Sequence, residues 1–173
     1  MIEENNRLVR FAMQYGLILT AFFILKFVIS VFSIQQPLFG LVGWIMIMCI
    51  PLILFAMLRY YREQYSFHKI SYRQAWSLSM LLLFFASLPE ALVQYGYFQF
   101  INPDYISDSL NTVISTLENM PELKDNNIAN NLIDTYKQTD TPSAIQMAFQ
   151  TIFNNLFFGG FLSFILAALV KKN

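Results

Sequence analysis

The sequence predicts an all-α, polytopic membrane protein with four transmembrane helices and a helical extracytoplasmic loop between the third and the fourth. The chain has 173 residues, of which 56% are hydrophobic and only 13% are charged. Soluble domains carry roughly 25% charged residues. The few charged residues are segregated along the chain and leave long apolar runs between them. This composition disfavours a water-soluble globule.

The four apolar runs have the length that a membrane crossing requires. A hydrocarbon core about 30 Å thick needs ~20 apolar helical residues. The runs cover residues 11–32, 38–58, 76–100 and 145–170, each with at most one formal charge. The first run is too long for the apolar core of a signal peptide and no small-residue cleavage site follows it, so we expect it to be retained. The short linker 33–37 predicts that the first two spans form an antiparallel hairpin.

The loop between the third and fourth runs, residues 101–143, contains seven acidic residues and two lysines. Its apolar residues recur at helical spacing in two segments, which predicts two amphipathic helices. These residues are Ile106, Leu110, Val113, Ile114 and Leu117, followed by Ile128, Leu132, Ile133 and Tyr136. Asn102-Pro103 and Thr141-Pro142 predict the starts of the first loop helix and of the last span. We interpret the whole chain, 1–173, as one transmembrane domain with this loop as an insertion.

The distribution of lysine and arginine predicts the orientation. If four spans alternate, eight basic residues lie on one side and only Lys124 and Lys137 on the other. The eight are Arg7, Arg10, Arg59, Arg62, Lys69, Arg73, Lys171 and Lys172. Because cytoplasmic loops carry the excess of Lys and Arg, both termini are predicted to be cytoplasmic, in an inner (cytoplasmic) membrane.

Three short motifs, in their order and spacing, resemble one protein family. They are Tyr15-Gly16-Leu17-Ile18-Leu19 in the first span, Ile70-Ser71-Tyr72-Arg73-Gln74-Ala75 before the third, and Ile101-Asn102-Pro103-Asp104-Tyr105 after it. With them the chain resembles the bacterial membrane family called domain of unknown function 4199. The resemblance implies four spans with a longer acidic loop before the last one. It implies no activity and no site residues.

Two ionisable residues lie inside the predicted spans, where an unpaired charge costs at least ~2.5 kcal/mol. Lys26 lies about 6 Å and Glu90 about 3 Å outward of the centres of their spans. Polar residues of the third span share one helical face: Ser79, Ser87, Glu90, Gln94 and Tyr97. Gln146, Gln150 and Asn154 form a similar stripe on the last span. Lys26, Glu90, Gln94 and Asn154 are therefore the candidate intramembrane polar cluster.

The cluster has two possible roles. As an interhelical clamp, its side chains would satisfy one another and fix the helix register. As a substrate or proton site, Glu90 would change protonation, Lys26 would tune it, and Gln94 and Asn154 would orient a ligand. Lys26 could also extend toward the membrane surface without a partner, which would weaken both interpretations.

Few residues suggest other chemistry. Cys49 is the single cysteine and His68 the single histidine, and neither has neighbours at metal-ligand spacing. No catalytic motif or cofactor motif is present, so the sequence predicts no catalytic residue, metal or cofactor. An enzyme would have to rely on Asp104, Tyr105 and Tyr97, and we expect none. The zero net charge gives no argument for nucleic-acid binding.

The sequence therefore favours a structural or accessory protein in the lipid bilayer. Its acidic extracytoplasmic loop would contact a protein partner or shield the outer end of the bundle. The alternative is a small transporter or channel built around Lys26 and Glu90. A homo-oligomer is possible, since four short helices alone enclose little pathway.

Overall fold

A computed structural model describes residues 2–33, 36–66, 69–119 and 141–171, and these residues form five α-helices. The helices are α1 (Ile2–Ser33), α2 (Pro37–Tyr65), α3 (Tyr72–Gly96), α4 (Tyr105–Asn119) and α5 (Ala144–Val170). A π-helical turn, Tyr97–Ile101, continues α3. Helices α1, α2 and α5, and α3 with its π-turn, are long and apolar enough to cross a membrane. The predicted all-helical, four-span class is thereby confirmed.

The chain divides into two compact units, and each is described by itself. The bundle unit comprises Met1–Val93 and Ala148–Asn173, and the loop unit comprises Gln94–Met147. Of the loop helices, α4 lies within the described residues, whereas the predicted second helix around Ile128 to Tyr136 lies outside them. His68, Lys124, Lys137 and Lys172 also lie outside the described residues. The prediction of one domain over the whole chain stays a prediction.

Two predicted helix starts are wrong by about two residues. Helix α4 begins at Tyr105 because the Asn102 N–H donates to the Tyr97 carbonyl, so Asn102 closes the π-turn. Helix α5 begins at Ala144 and is capped by two reciprocal hydrogen bonds. The Ser143 N–H donates to Gln146 Oε1 at 2.8 Å, and the Gln146 N–H donates to Ser143 Oγ at 3.4 Å. Ser71 and Gln74 form the same pair at the start of α3. Both are Ser-x-x-Gln capping boxes. The prediction placed the helix starts from the prolines and did not use this motif.

The bundle unit buries small and aliphatic side chains from all four of its helices. Leu19, Leu54, Leu58, Leu78 and Leu82 are at most 1% exposed and belong to one core cluster. Large apolar side chains cover the opposite helix faces, as with Trp44 (65% exposed) and Leu92 (71% exposed). A continuous apolar surface of this kind is expected for helices that face the lipid bilayer.

Helices α1 and α2 form the antiparallel hairpin that their short linker predicts. The Phe32 and Phe39 rings lie 6.0 Å apart at one end, and the Phe11 and Tyr61 rings lie 5.0 Å apart at the other. The far end of α2 is also joined to α5, because Arg62 Nη1 donates to the Val170 carbonyl oxygen at 3.0 Å. This carbonyl belongs to the last turn of α5, where backbone acceptors have no partner within the helix.

Helices α1 and α3 approach closely at Gly16. The Thr20 hydroxyl, one turn further on, lies 3.0 Å from the Gly16 carbonyl oxygen and 3.2 Å from that of Ala86 on α3. A Cβ atom added at Gly16 would lie 2.8 Å from the Cβ of Phe85 and 3.4 Å from the Leu82 carbonyl oxygen. Small residues permit such backbone approach in membrane bundles.

We predict that Gly16→Ala destabilises the bundle. The added methyl group meets atoms that move only with the α3 backbone, and overpacking of this kind costs about 1–3 kcal/mol. Chemical unfolding of the purified chain in micelles, followed by circular dichroism, measures the change. Gly40→Ala is the control, because a Cβ atom there meets nothing within 4 Å. Equal stability of the two variants would contradict a tight α1–α3 contact.

Candidate intramembrane polar site

Lys26 on α1 and Glu90 on α3 form an ion pair inside the bundle unit. Lys26 Nζ lies 3.2 Å from Glu90 Oε1, and the exposed fractions of the two side chains are 17% and 0%. The lysine ammonium also lies over the Phe23 ring, 4.8 Å from its centroid. The Glu90 carboxylate is therefore removed from solvent and lies against a cation that keeps limited access to the surface.

The second oxygen of Glu90 is bound by Asn155 on α5. Asn155 Nδ2 donates to Glu90 Oε2 at 2.6 Å, a short bond of the kind expected for a charged acceptor. The carboxylate thus joins three helices, with Lys26 from α1 and Asn155 from α5 meeting Glu90 from α3. Charge pairing and hydrogen bonding together offset the cost of burying an ion.

The sequence prediction named Asn154 and missed Asn155. Asn154 is exposed, as are Gln146 and Gln150, so none of the three residues of the predicted polar stripe on the last span is buried. Asn155 instead continues the small-residue face of α5 through Gly159 and Ser163, both buried. Asn155, Gly159 and Ser163 are spaced four residues apart, which places them on one face of a helix. This spacing could have identified Asn155 from the sequence.

Ser79, Ser87 and Gln94 are the other buried residues of the predicted third-span stripe. Ser79 and Ser87 are buried, and their hydroxyls donate to the carbonyls of Ala75 and Leu83 within the same helix. They therefore need no partner from another helix. Gln94 is buried, at 7% exposure, and belongs to the loop unit.

A cavity of about 230 Å³ lies beside the ion pair, within the bundle unit. Its walls are mostly apolar and include Phe23, Ile47, Ile50 and Phe158. Lys26, Asn154 and Asn155 supply the polar part of the lining. Gly159 forms the wall next to Leu83, where an added Cβ atom would overlap the Leu83 side chain.

In the described part of the chain, no group of three or more His, Cys, Asp or Glu residues lies close enough together to hold a metal ion. In the loop unit, burial and then the neighbouring Tyr97 raise the pKa of Tyr105 above its ordinary value of 10.0. Its phenol is therefore neutral, and a poor general base, near neutral pH.

These features define a helical, multi-pass membrane protein with a buried ionic contact between its spans. The chain belongs to the family described as "Protein of unknown function (DUF4199)", whose family model matches residues 14–172. No curated protein matches the chain, and no solved structure does. The family resemblance drawn from the three motifs is confirmed, and the family description assigns no activity.

We predict that Asn155→Leu lowers the stability of the bundle by about 1–2 kcal/mol, because it leaves a buried carboxylate oxygen without its donor. Unfolding in micelles measures the loss. Asn154→Leu is the matched control, since it removes the same amide one residue earlier from an exposed position. If Asn154→Leu destabilised the chain as much as Asn155→Leu, the assignment of Asn155 to the site would be wrong.

Proposed function

We propose that this chain is a structural or accessory protein of the bacterial inner membrane, not an enzyme, with both termini in the cytoplasm. Its polar site acts as an interhelical clamp. The observation that carries the proposal is the state of Glu90, which is 0% exposed and has a partner on each carboxylate oxygen. A carboxylate held in this way has neither the water contact nor the free oxygen that a transported ion or proton requires.

The clamp also explains why an ionic contact is present in the hydrocarbon region. Buried ion pairs contribute little net stability compared with apolar packing, but they disfavour arrangements that leave a charge unpaired. Only one rotation and one height of α1, α3 and α5 bring Lys26, Glu90 and Asn155 together. We infer that the contact selects the register of these three helices.

The outer loop supplies the surface for a partner. Residues 101–143 carry seven acidic residues against two lysines. Asp104 and Asp108, at the beginning of this loop, are exposed. A partner with a basic surface is expected, because complementary charge speeds and orients association. The apolar faces of the spans offer a surface for a homo-oligomer.

The clamp is tested by the amount of folded protein in membranes for Lys26→Met, Glu90→Gln and the double variant, together with growth of the host. Each single change should lower the folded amount, and the double variant should restore much of it. Lys26→Met should be the more harmful, because it leaves a fully buried carboxylate without its cation. Glu90→Gln leaves a lysine that is already 17% exposed and can extend toward the surface.

The exposed pair Arg59 and Glu63 provides the control. Arg59 Nε lies 2.8 Å from Glu63 Oε1, and the two side chains are 60% and 39% exposed. Because exposed ion pairs contribute little stability, Arg59→Met and Glu63→Gln should change the folded amount little. The alternative is a small transporter or channel using Lys26 and Glu90. Normal folding of all the site variants, with growth lost whenever Glu90 is replaced, would support that alternative and reject the clamp.

A further inference from the structure

The cavity beside the clamp has hydrogen-bond donors that the clamp does not use. An ammonium group has three N–H donors. Within the described residues, Lys26 has a single carboxylate partner, Glu90. The Asn154 amide makes no hydrogen bond to any residue that the structure describes, although it lines the cavity. Unused donors in a hydrocarbon surround are costly, so an acceptor in this cavity would be bound favourably.

The depth of Asn154 limits the molecules that can supply this acceptor. Asn154 lies three residues from the middle of the span Ala144–Val170, which is about 5 Å along the helix. The ester and phosphate groups of a phospholipid lie beyond the hydrocarbon core, about 15 Å from the bilayer centre. The acceptor must therefore belong to a molecule that dissolves in the hydrocarbon interior and carries its polar atoms there.

The cavity walls suit a flat, largely apolar group. The Phe23 and Phe158 rings and the Ile47 and Ile50 side chains provide an aromatic and aliphatic lining. Phe158 and Ile47 are 64% and 45% exposed, so this side of the cavity borders the lipid-facing surface. The volume of about 230 Å³ is below the usual range for drug-sized ligands, about 300 Å³ and above, and fits a single ring.

We propose that the cavity binds the head of a membrane-soluble quinone. Lys26 and Asn154 donate to its carbonyl oxygens, Phe23 and Phe158 contact its ring, and its apolar tail leaves between Ile47 and Phe158 into the lipid. The proposal concerns binding alone, and it does not depend on the structural role proposed above. An acyl chain of an ordinary lipid, which has no acceptor at this depth, is the occupant that the experiment must distinguish.

The test is photolabelling of the full chain in phosphatidylcholine nanodiscs. The probe is a fully substituted benzoquinone with a diazirine on a short alkyl tail, so that it cannot add to nucleophiles. Unlabelled benzoquinone with a decyl tail should compete with the probe, whereas decylbenzene, which has the same tail without carbonyls, should not. Mass spectrometry should find the label on peptides of α2 and α5.

Two variants and one control test the cavity itself. Asn154→Leu removes one donor and should raise the apparent Kd about tenfold, the effect of one good hydrogen bond. Ile47→Trp should fill the cavity and abolish competable labelling. Gln150→Leu removes an exposed amide one turn away that does not line the cavity, and it should leave labelling unchanged.

Three results would overturn the proposal. Equal competition by decylbenzene would identify an acyl-chain site. Labelling that is unaffected by both Asn154→Leu and Ile47→Trp would place the probe elsewhere. Labelling of the wild-type chain that no unlabelled quinone displaces would show that no specific quinone site exists.

Discussion

The inability of a hydrocarbon interior to solvate a carboxylate is the constraint on which this bundle depends. Glu90 is fully buried in the middle of an apolar helix, where its charge must be balanced by the protein itself. Lys26 supplies the cation and Asn155 supplies a further donor. Since these side chains come from α1, α3 and α5, one buried charge links three of the four spans.

Close backbone packing allows these polar side chains to meet. Gly16 lets the α1 backbone approach that of α3, and Gly159 of α5 leaves room for the Leu83 side chain of α3. Asn155 lies one turn from Gly159, on the same side of α5, and its amide reaches the Glu90 carboxylate of α3. The same arrangement leaves Asn154 beside a cavity rather than in the core, and it leaves Lys26 with donors beyond the one that Glu90 uses. The three-helix contact and the cavity therefore lie side by side in the same packing of the helices.

The sequence predicted the depth of residues in the membrane better than it predicted the rotation of each helix about its own axis. The four spans were identified because their apolar length is fixed by the thickness of the bilayer. Their helices extend past the predicted ends, as in α2, which continues from 58 to Tyr65, because backbone hydrogen bonding persists after the residues become polar. The depths of Lys26 and Glu90 in the membrane could likewise be calculated from the sequence, since each helical residue adds 1.5 Å along the axis.

Rotation was harder to predict, because one residue turns the helix by about 100°. Asn154 and Asn155 lie at nearly the same depth, but only Asn155 contacts Glu90. The regular spacing of Gln146, Gln150 and Asn154 suggested an inward stripe, whereas the small residues Gly159 and Ser163 mark the inward face. In α5 the small residues mark the face that packs against other helices, whereas the spacing of the polar residues alone does not identify that face.

The most direct test of the central claim is a dipolar-recoupling measurement by solid-state NMR between lysine Nζ and glutamate Cδ, on isotope-labelled protein in bilayers. In the described residues Lys26 with Glu90 is the one lysine–carboxylate ion pair, so a coupled signal should appear that vanishes in Lys26→Met. The buried ion pair predicts strong coupling, as expected for atoms in direct contact. Absence of coupling in the folded wild-type chain would contradict the pair and, with it, the clamp.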